Sequence, residues 1–109
     1  MRMIMLLEPP AQYDHAYHGH VIEQRLSQLQ IFFLCHGPAP ACSWVSKGVC
    51  HIVFPNTERD ERAIALMRQH EIGHCNGWPG HHPGAHWVEV KSGKTVPPPK
   101  SAHLYFRLF

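Results

Sequence analysis

With 109 residues, 44% of them hydrophobic, the chain is long enough for one domain and too short for two. Ten Lys and Arg against eight Asp and Glu leave a formal charge of +2, too near neutral to predict a nucleic-acid or acidic-membrane partner. No apolar stretch approaches the ~20 residues of a membrane span, and the run from Met1 to Leu7 is too short for a signal-peptide core. A cytoplasmic setting is therefore expected. A domain this small buries a core with little to spare, so a bound metal or a disulfide would add to its stability. The compositional outlier is histidine, at 11 residues.

Residues 3 to 7 read as a short apolar strand stopped by Pro9-Pro10. Residues 11 to 20 are polar, carry Tyr13, His15, Tyr17, His18 and His20, and read as a loop. Val21, Ile22, Leu26 and Leu29 are spaced like one helical face, with Glu23, Gln24, Arg25 and Gln28 opposite, which predicts an N-terminal helix. The run Ile31 to Cys35 either continues that helix or forms a buried strand, and periodicity does not separate the two. His36-Gly37-Pro38-Ala39-Pro40 breaks regular structure. Ser43 to Val45 and Val49 to Phe54 then predict a hairpin around Lys47-Gly48.

Thr57-Glu58-Arg59-Asp60 has the shape of a weak capping box, and Glu58, Asp60 and Glu61 favour the positive end of a helix dipole. From there to Cys75 only Gly73 interrupts, and Asn76-Gly77 is a good stop, which predicts a helix over 58–75. Ala63, Ile64 and Met67 read as its core face. A loop over 78–85 and a strand over 86–90 follow, then a loop at Ser92-Gly93 and the stiff Pro97-Pro98-Pro99. The apolar tail Leu104 to Phe109 can add a strand or dock on the body. The expected fold is a small α+β domain: a mostly antiparallel sheet packed on the 58–75 helix, with one further N-terminal helix.

That helix contains His70-Glu71-Ile72-Gly73-His74, the pattern HExxH. Residues four apart share a helix face, so two imidazoles can hold one metal while Glu71 reaches water beside it. Zinc bound this way lowers the pKa of water to about 7, and the glutamate takes the proton as a carbonyl is attacked. With 11 His and 6 Glu, composition alone gives only about 0.06 chance occurrences of the pattern. Downstream, Gly77 permits a sharp turn, and His81-His82 return within reach as a third ligand.

On these residues the chain resembles the zincin metallopeptidases. His70-Glu71-x-x-His74-x-x-Gly77 matches the first eight positions of the metzincin pattern HExxHxxGxxH, but Gly80 stands where the third histidine belongs. The stretch HEIGHCNGWPGHHPG also resembles a group of small bacterial proteins described as metallopeptidases, in which the second histidine of the pair is the regular one. That resemblance implies His70, His74 and His82 as ligands of one zinc ion, with Glu71 as general base. Metzincins carry a methionine turn after the third histidine, whereas the last methionine here is Met67, so the likeness covers roughly residues 57 to 84. In zincins the substrate lies along an edge strand ahead of the helix, which implies Val49 to Phe54 here, with Val53 pointing outward.

His15, His18, His20, His36, His51, His86 and His103 read as surface or loop residues, although His86 is close enough in sequence to orient substrate. Tyr13 and Tyr105 are candidates for stabilising an oxyanion, against a simpler packing role. Cys35, Cys42, Cys50 and Cys75 contain no CxxC pair. Cys42 and Cys50 could face each other across the hairpin, but without a leader free thiols are the expectation. Cys75 points about 100° away from the metal face and is not expected as a ligand. The expected function is zinc-dependent hydrolysis of peptide bonds in a peptide or protein substrate. The alternatives are a zinc-stabilised module that binds a partner protein, and a hydrolase acting on a non-peptide bond.

Overall fold

Strand β1, Met5–Glu8, ends at Pro9-Pro10, which lack the amide hydrogens a ladder needs. The computed structural model describes residues 5–89 and 95–96 of the chain. Val90, the loop at Ser92-Gly93, Pro97-Pro98-Pro99, His103, Tyr105 and the Leu104–Phe109 tail lie outside the described residues. The remaining elements are β2 (Val21–Leu26), α1 (Gln28–Leu34), β3 (Cys42–Ser46), β4 (Val49–Pro55), α2 (Glu61–Cys75), β5 (His86–Glu89) and β6 (Thr95–Val96). This is the expected α+β class, with two small sheets where one was expected. One sheet has the order β1-β5-β6 and is antiparallel throughout; the other has the order β2-β4-β3.

In the second sheet β3 and β4 form the expected hairpin. Lys47 and Gly48 have φ of 52° and 78°, the two positive values a two-residue turn of matching twist requires. β2 pairs in parallel with the other side of β4. Residues 21 to 26 are therefore strand, not helix, and helix begins only at Gln28. There Ser27 accepts from the Gln30 amide while the Gln30 side chain accepts from the Ser27 amide, a reciprocal cap that starts α1. The run 31–34 thus belongs to the helix.

β4 alternates between two covered faces. Cys50, Ile52 and Phe54 meet Ala63, Ile64 and Met67 of α2, the core face expected for that helix. His51 and Val53 face the other way, and α1 packs against β4 with its one buried residue, Ile31. β4 is consequently the central strand, and Val53 is 1% exposed. The expectation of an edge strand with an outward Val53 is corrected: β3 is the edge beside α2.

All four cysteines are disulfide-bonded, Cys35 to Cys42 and Cys50 to Cys75. This replaces the free thiols expected from sequence, and it is not the Cys42–Cys50 pairing left open there. The hairpin register sets Cys42 opposite Val53 and Cys50 opposite Val45, so those two cysteines do not meet. No helix among the described residues is long and apolar enough to cross a membrane.

Candidate metal centre

Both ends of α2 are closed by specific hydrogen bonds. Asp60, not Thr57, is the N-cap: its side chain accepts from the Arg62 amide, and the helix begins three residues later than expected. At the other end, the Trp78 amide donates to Gly73 and the Gly77 amide to His74, with Gly77 at φ 105°. This paired pattern needs a residue that tolerates positive φ, as Asn76-Gly77 predicted. It reverses the chain so that Trp78 folds back over the helix face carrying His70 and His74.

The sheets and this turn set the imidazoles. His70 Nδ1 lies 2.7 Å from the Leu7 carbonyl of β1, and His74 Nδ1 lies 2.8 Å from the Trp78 carbonyl. A carbonyl only accepts, so each Nδ1 carries the proton and donates it. Burial favours the neutral ring in both, taking the pKa of His70 well below the usual histidine value and lowering that of His74, despite those carbonyls. Each Nε2 is then left with a bare lone pair. His82 completes the group from the loop, with φ of 60°, an uncommon conformation for a side-chain-bearing residue. Its amide donates to Pro79, and burial pushes its pKa down to about 4.

The three Nε2 atoms form a nearly equilateral triangle, with 3.1 Å between His70 and His74 and 3.2 Å on both other edges. With Nδ1 of His70 and His74 protonated, no proton lies on the edge between their Nε2 atoms, and converging lone pairs repel unless a cation joins them. Ligands at ~2.0–2.1 Å in tetrahedral array stand about 3.3 Å apart, so the triangle has the size of a zinc face. The three histidines could therefore hold a metal ion. Trp78, 2% exposed, walls the cluster: its ring stacks on His74 at 4.7 Å and meets His70 and His82 edge-on at 5.0 Å.

Glu71 sits one position round the helix, 2% exposed. Ser43 Oγ of β3 donates to its Oε1 at 2.8 Å, while Oε2 is buried with no hydrogen-bond partner among the described residues. Burial raises the Glu71 pKa to about 7, and the Ser43 hydrogen bond opposes that rise. A shallow cleft of about 230 Å³, lined by Cys42, Ser43, Glu71, His74 and Gly80, opens beside this carboxyl. A carboxyl poised near neutrality in a cleft shared with His74 is suited to moving a proton.

Of the residues singled out from sequence, His70, His74 and His82 come together, Glu71 lies buried beside His70 on α2 and lines a cleft with His74, and His81 is exposed. His86 is exposed on β5, and His51 stacks on Trp44 at 5.1 Å. Tyr13 packs with Leu7, Trp78 and Trp87, the packing role rather than the oxyanion role. Cys75 is turned away from the cluster into its disulfide. Sequence reading missed Ser43 and Trp78. Nothing local marks Ser43, whereas the turn after the helix signals that residue 78 folds back. No family model, curated protein or solved structure matches this chain.

Proposed function

We propose that the chain is a zinc-dependent peptide hydrolase, with His70, His74 and His82 as metal ligands and Glu71 as general base. The observation that carries this reading is the pairing of two features: three facing Nε2 atoms at 3.1–3.2 Å and, in the cleft that His74 also lines, a buried carboxyl with one uncommitted oxygen. When bound, zinc supplies Lewis acidity, acidifying water and polarising a carbonyl. The Leu7 and Trp78 carbonyls hold the His70 and His74 rings with Nε2 toward the metal. Ser43 holds Oε1 of Glu71, leaving Oε2 to take the proton of the attacking water and deliver it to the leaving amine. Trp78 keeps bulk water away from the far side of the histidines. The substrate runs extended along β3, whose outer side is unpaired among the described residues.

The near-complete burial of Glu71 favours a second reading, a zinc site that only stabilises the fold. Glu71→Gln separates them. A hydrolase retains zinc and fold in this variant but loses ~100-fold or more in peptide cleavage. A stabilising site gives equal behaviour in both proteins. The two disulfides favour an oxidising setting over the cytoplasmic one expected from sequence.

A further inference from the structure

On the opposite face of the β2-β4-β3 sheet from the metal cluster, a second cavity of about 350 Å³ opens at the same edge. It is lined by Leu34, Cys35, His36, Cys42, Ser43 and Trp44. One wall is the end of α1 and the other is β3, and the Cys35–Cys42 disulfide ties the two together. Trp44 is held by stacking on His51, with ring planes 6° apart. Leu34 and Trp44 are 43% and 36% exposed, large apolar surface left open at a fixed site. Cys42 and Ser43 line this cavity and also the cleft beside Glu71, so the two meet across the width of one strand.

The alternation of β3 gives that juxtaposition a consequence. Ser43 pairs with Ile52 and turns toward α2, where it bonds Glu71. Cys42 and Trp44 pair with Val53 and His51 and turn toward α1. A peptide added to the outer side of β3 alternates in the same way. When one of its residues faces the metal cluster, the next sends its side chain over the edge into the second cavity.

We infer that the cavity between Leu34 and Trp44 is a specificity subsite that takes a bulky apolar side chain, leucine- or phenylalanine-like, next to the residue facing the metal cluster. The inference rests on the hydrolase reading for the identity of the bond cleaved, but not for the binding of the side chain. A pocket of this volume, walled by Leu34, Trp44 and the Cys35–Cys42 disulfide, encloses one large side chain, and no Lys or Arg lines it to pair with an acidic one. Its walls are cross-linked and stacked, so little is spent on ordering them when the substrate arrives.

Two measurements test it. In the first, zinc-loaded protein and its Leu34→Arg variant are given a mixed peptide library, and the cleaved ends are read by mass spectrometry. The expected result is enrichment of Leu, Phe or Met at one fixed position from the cut, reduced at least ~10-fold in the variant at equal zinc content. In the second, N-acetyl-leucinamide and N-acetyl-aspartamide are titrated into zinc-free protein while the Trp44 indole N–H resonance is followed. Movement with the leucine probe alone, abolished by Leu34→Arg, is expected. Cleavage without apolar preference overturns the subsite and leaves the hydrolase standing. No cleavage, with the Trp44 shift present, removes the hydrolase and leaves a pocket for apolar side chains. If the Trp44 resonance responds to neither probe, the subsite falls.

Discussion

Ser43 Oγ donates a 2.8 Å hydrogen bond to Oε1 of Glu71, joining the edge strand of one sheet to the buried carboxyl next to His70 on α2. The bond orients the carboxyl and works against the burial that raises its pKa to about 7. Ser43→Ala removes that partner from a group buried on all sides, which costs about 1–3 kcal/mol. Zinc content is expected to stay near that of the wild type. The acidic limb of the hydrolysis profile is expected to move to higher pH, because the carboxylate loses the hydrogen bond that favours its charged form. An unmoved limb in the variant would show that Ser43 does not act on Glu71.

Gly73 lies in the HExxH segment because no side chain fits there. A Cβ added at this position would stand 2.9 and 3.0 Å from the Pro9 ring and 3.2 Å from Trp78. Alanine improves helix propensity by about 1 kcal/mol, so on local grounds Gly73→Ala stabilises. The close approach wins instead, since Pro9 follows β1 and Leu7 of β1 holds His70. The variant is expected to melt lower and to bind zinc ~10-fold or more weakly, as loss of a ring's outer hydrogen bond does at other sites. Calorimetric zinc titration checks this, and unchanged affinity would contradict it.

Acid is expected to destabilise the metal-free protein. His70, His74 and His82 have lowered pKa values through burial, so the unfolded chain takes up protons near pH 6.5 while the folded chain does not. Their contribution is full above 6.5 and is lost as pH falls toward about 4, the folded value of His82. Glu71 runs the other way: its raised pKa makes the folded state hold a proton between 4.5 and about 7, a contribution lost as pH rises. Three imidazoles outweigh one carboxyl between pH 6.5 and 4.5. Melting curves in chelator should therefore fall across that interval, and a flat or rising midpoint would show that the imidazoles are not buried neutral.

The disulfides make a separate prediction. Alkylation of the unfolded, unreduced protein should modify none of the four cysteines, and reduction should expose all four. Cys50→Ala with Cys75→Ala removes a link of sequence separation 25 and should cost about 3 kcal/mol. Because Cys75 follows His74, zinc affinity should fall with it. Labelling of free thiols before reduction would return the chain to the reducing setting expected from its sequence.

What sequence alone made legible was local. Asn76-Gly77 marks the end of α2 because its hydrogen-bond pattern is completed within five residues, and Lys47-Gly48 marks a hairpin by backbone conformation alone. HExxH lies on one helix, so its geometry follows from helical spacing. β2 was illegible because four of its six residues are exposed and carry no alternation, and its strand character comes from parallel pairing with β4. The same holds for Asp60 as cap, where Glu58 Oε2 accepts from the Asp60 amide and competes with the apparent capping box. The disulfides and the Ser43–Glu71 bond join residues that only the folded sheet brings together.

The most direct test of the metal centre is elemental analysis of purified, untagged protein beside His74→Ala. The triangle of Nε2 atoms predicts near one zinc per chain in the wild type and a sharp loss in the variant, which removes one corner. Wild-type protein that stays free of zinc after reconstitution would contradict the metal centre, and the hydrolase with it.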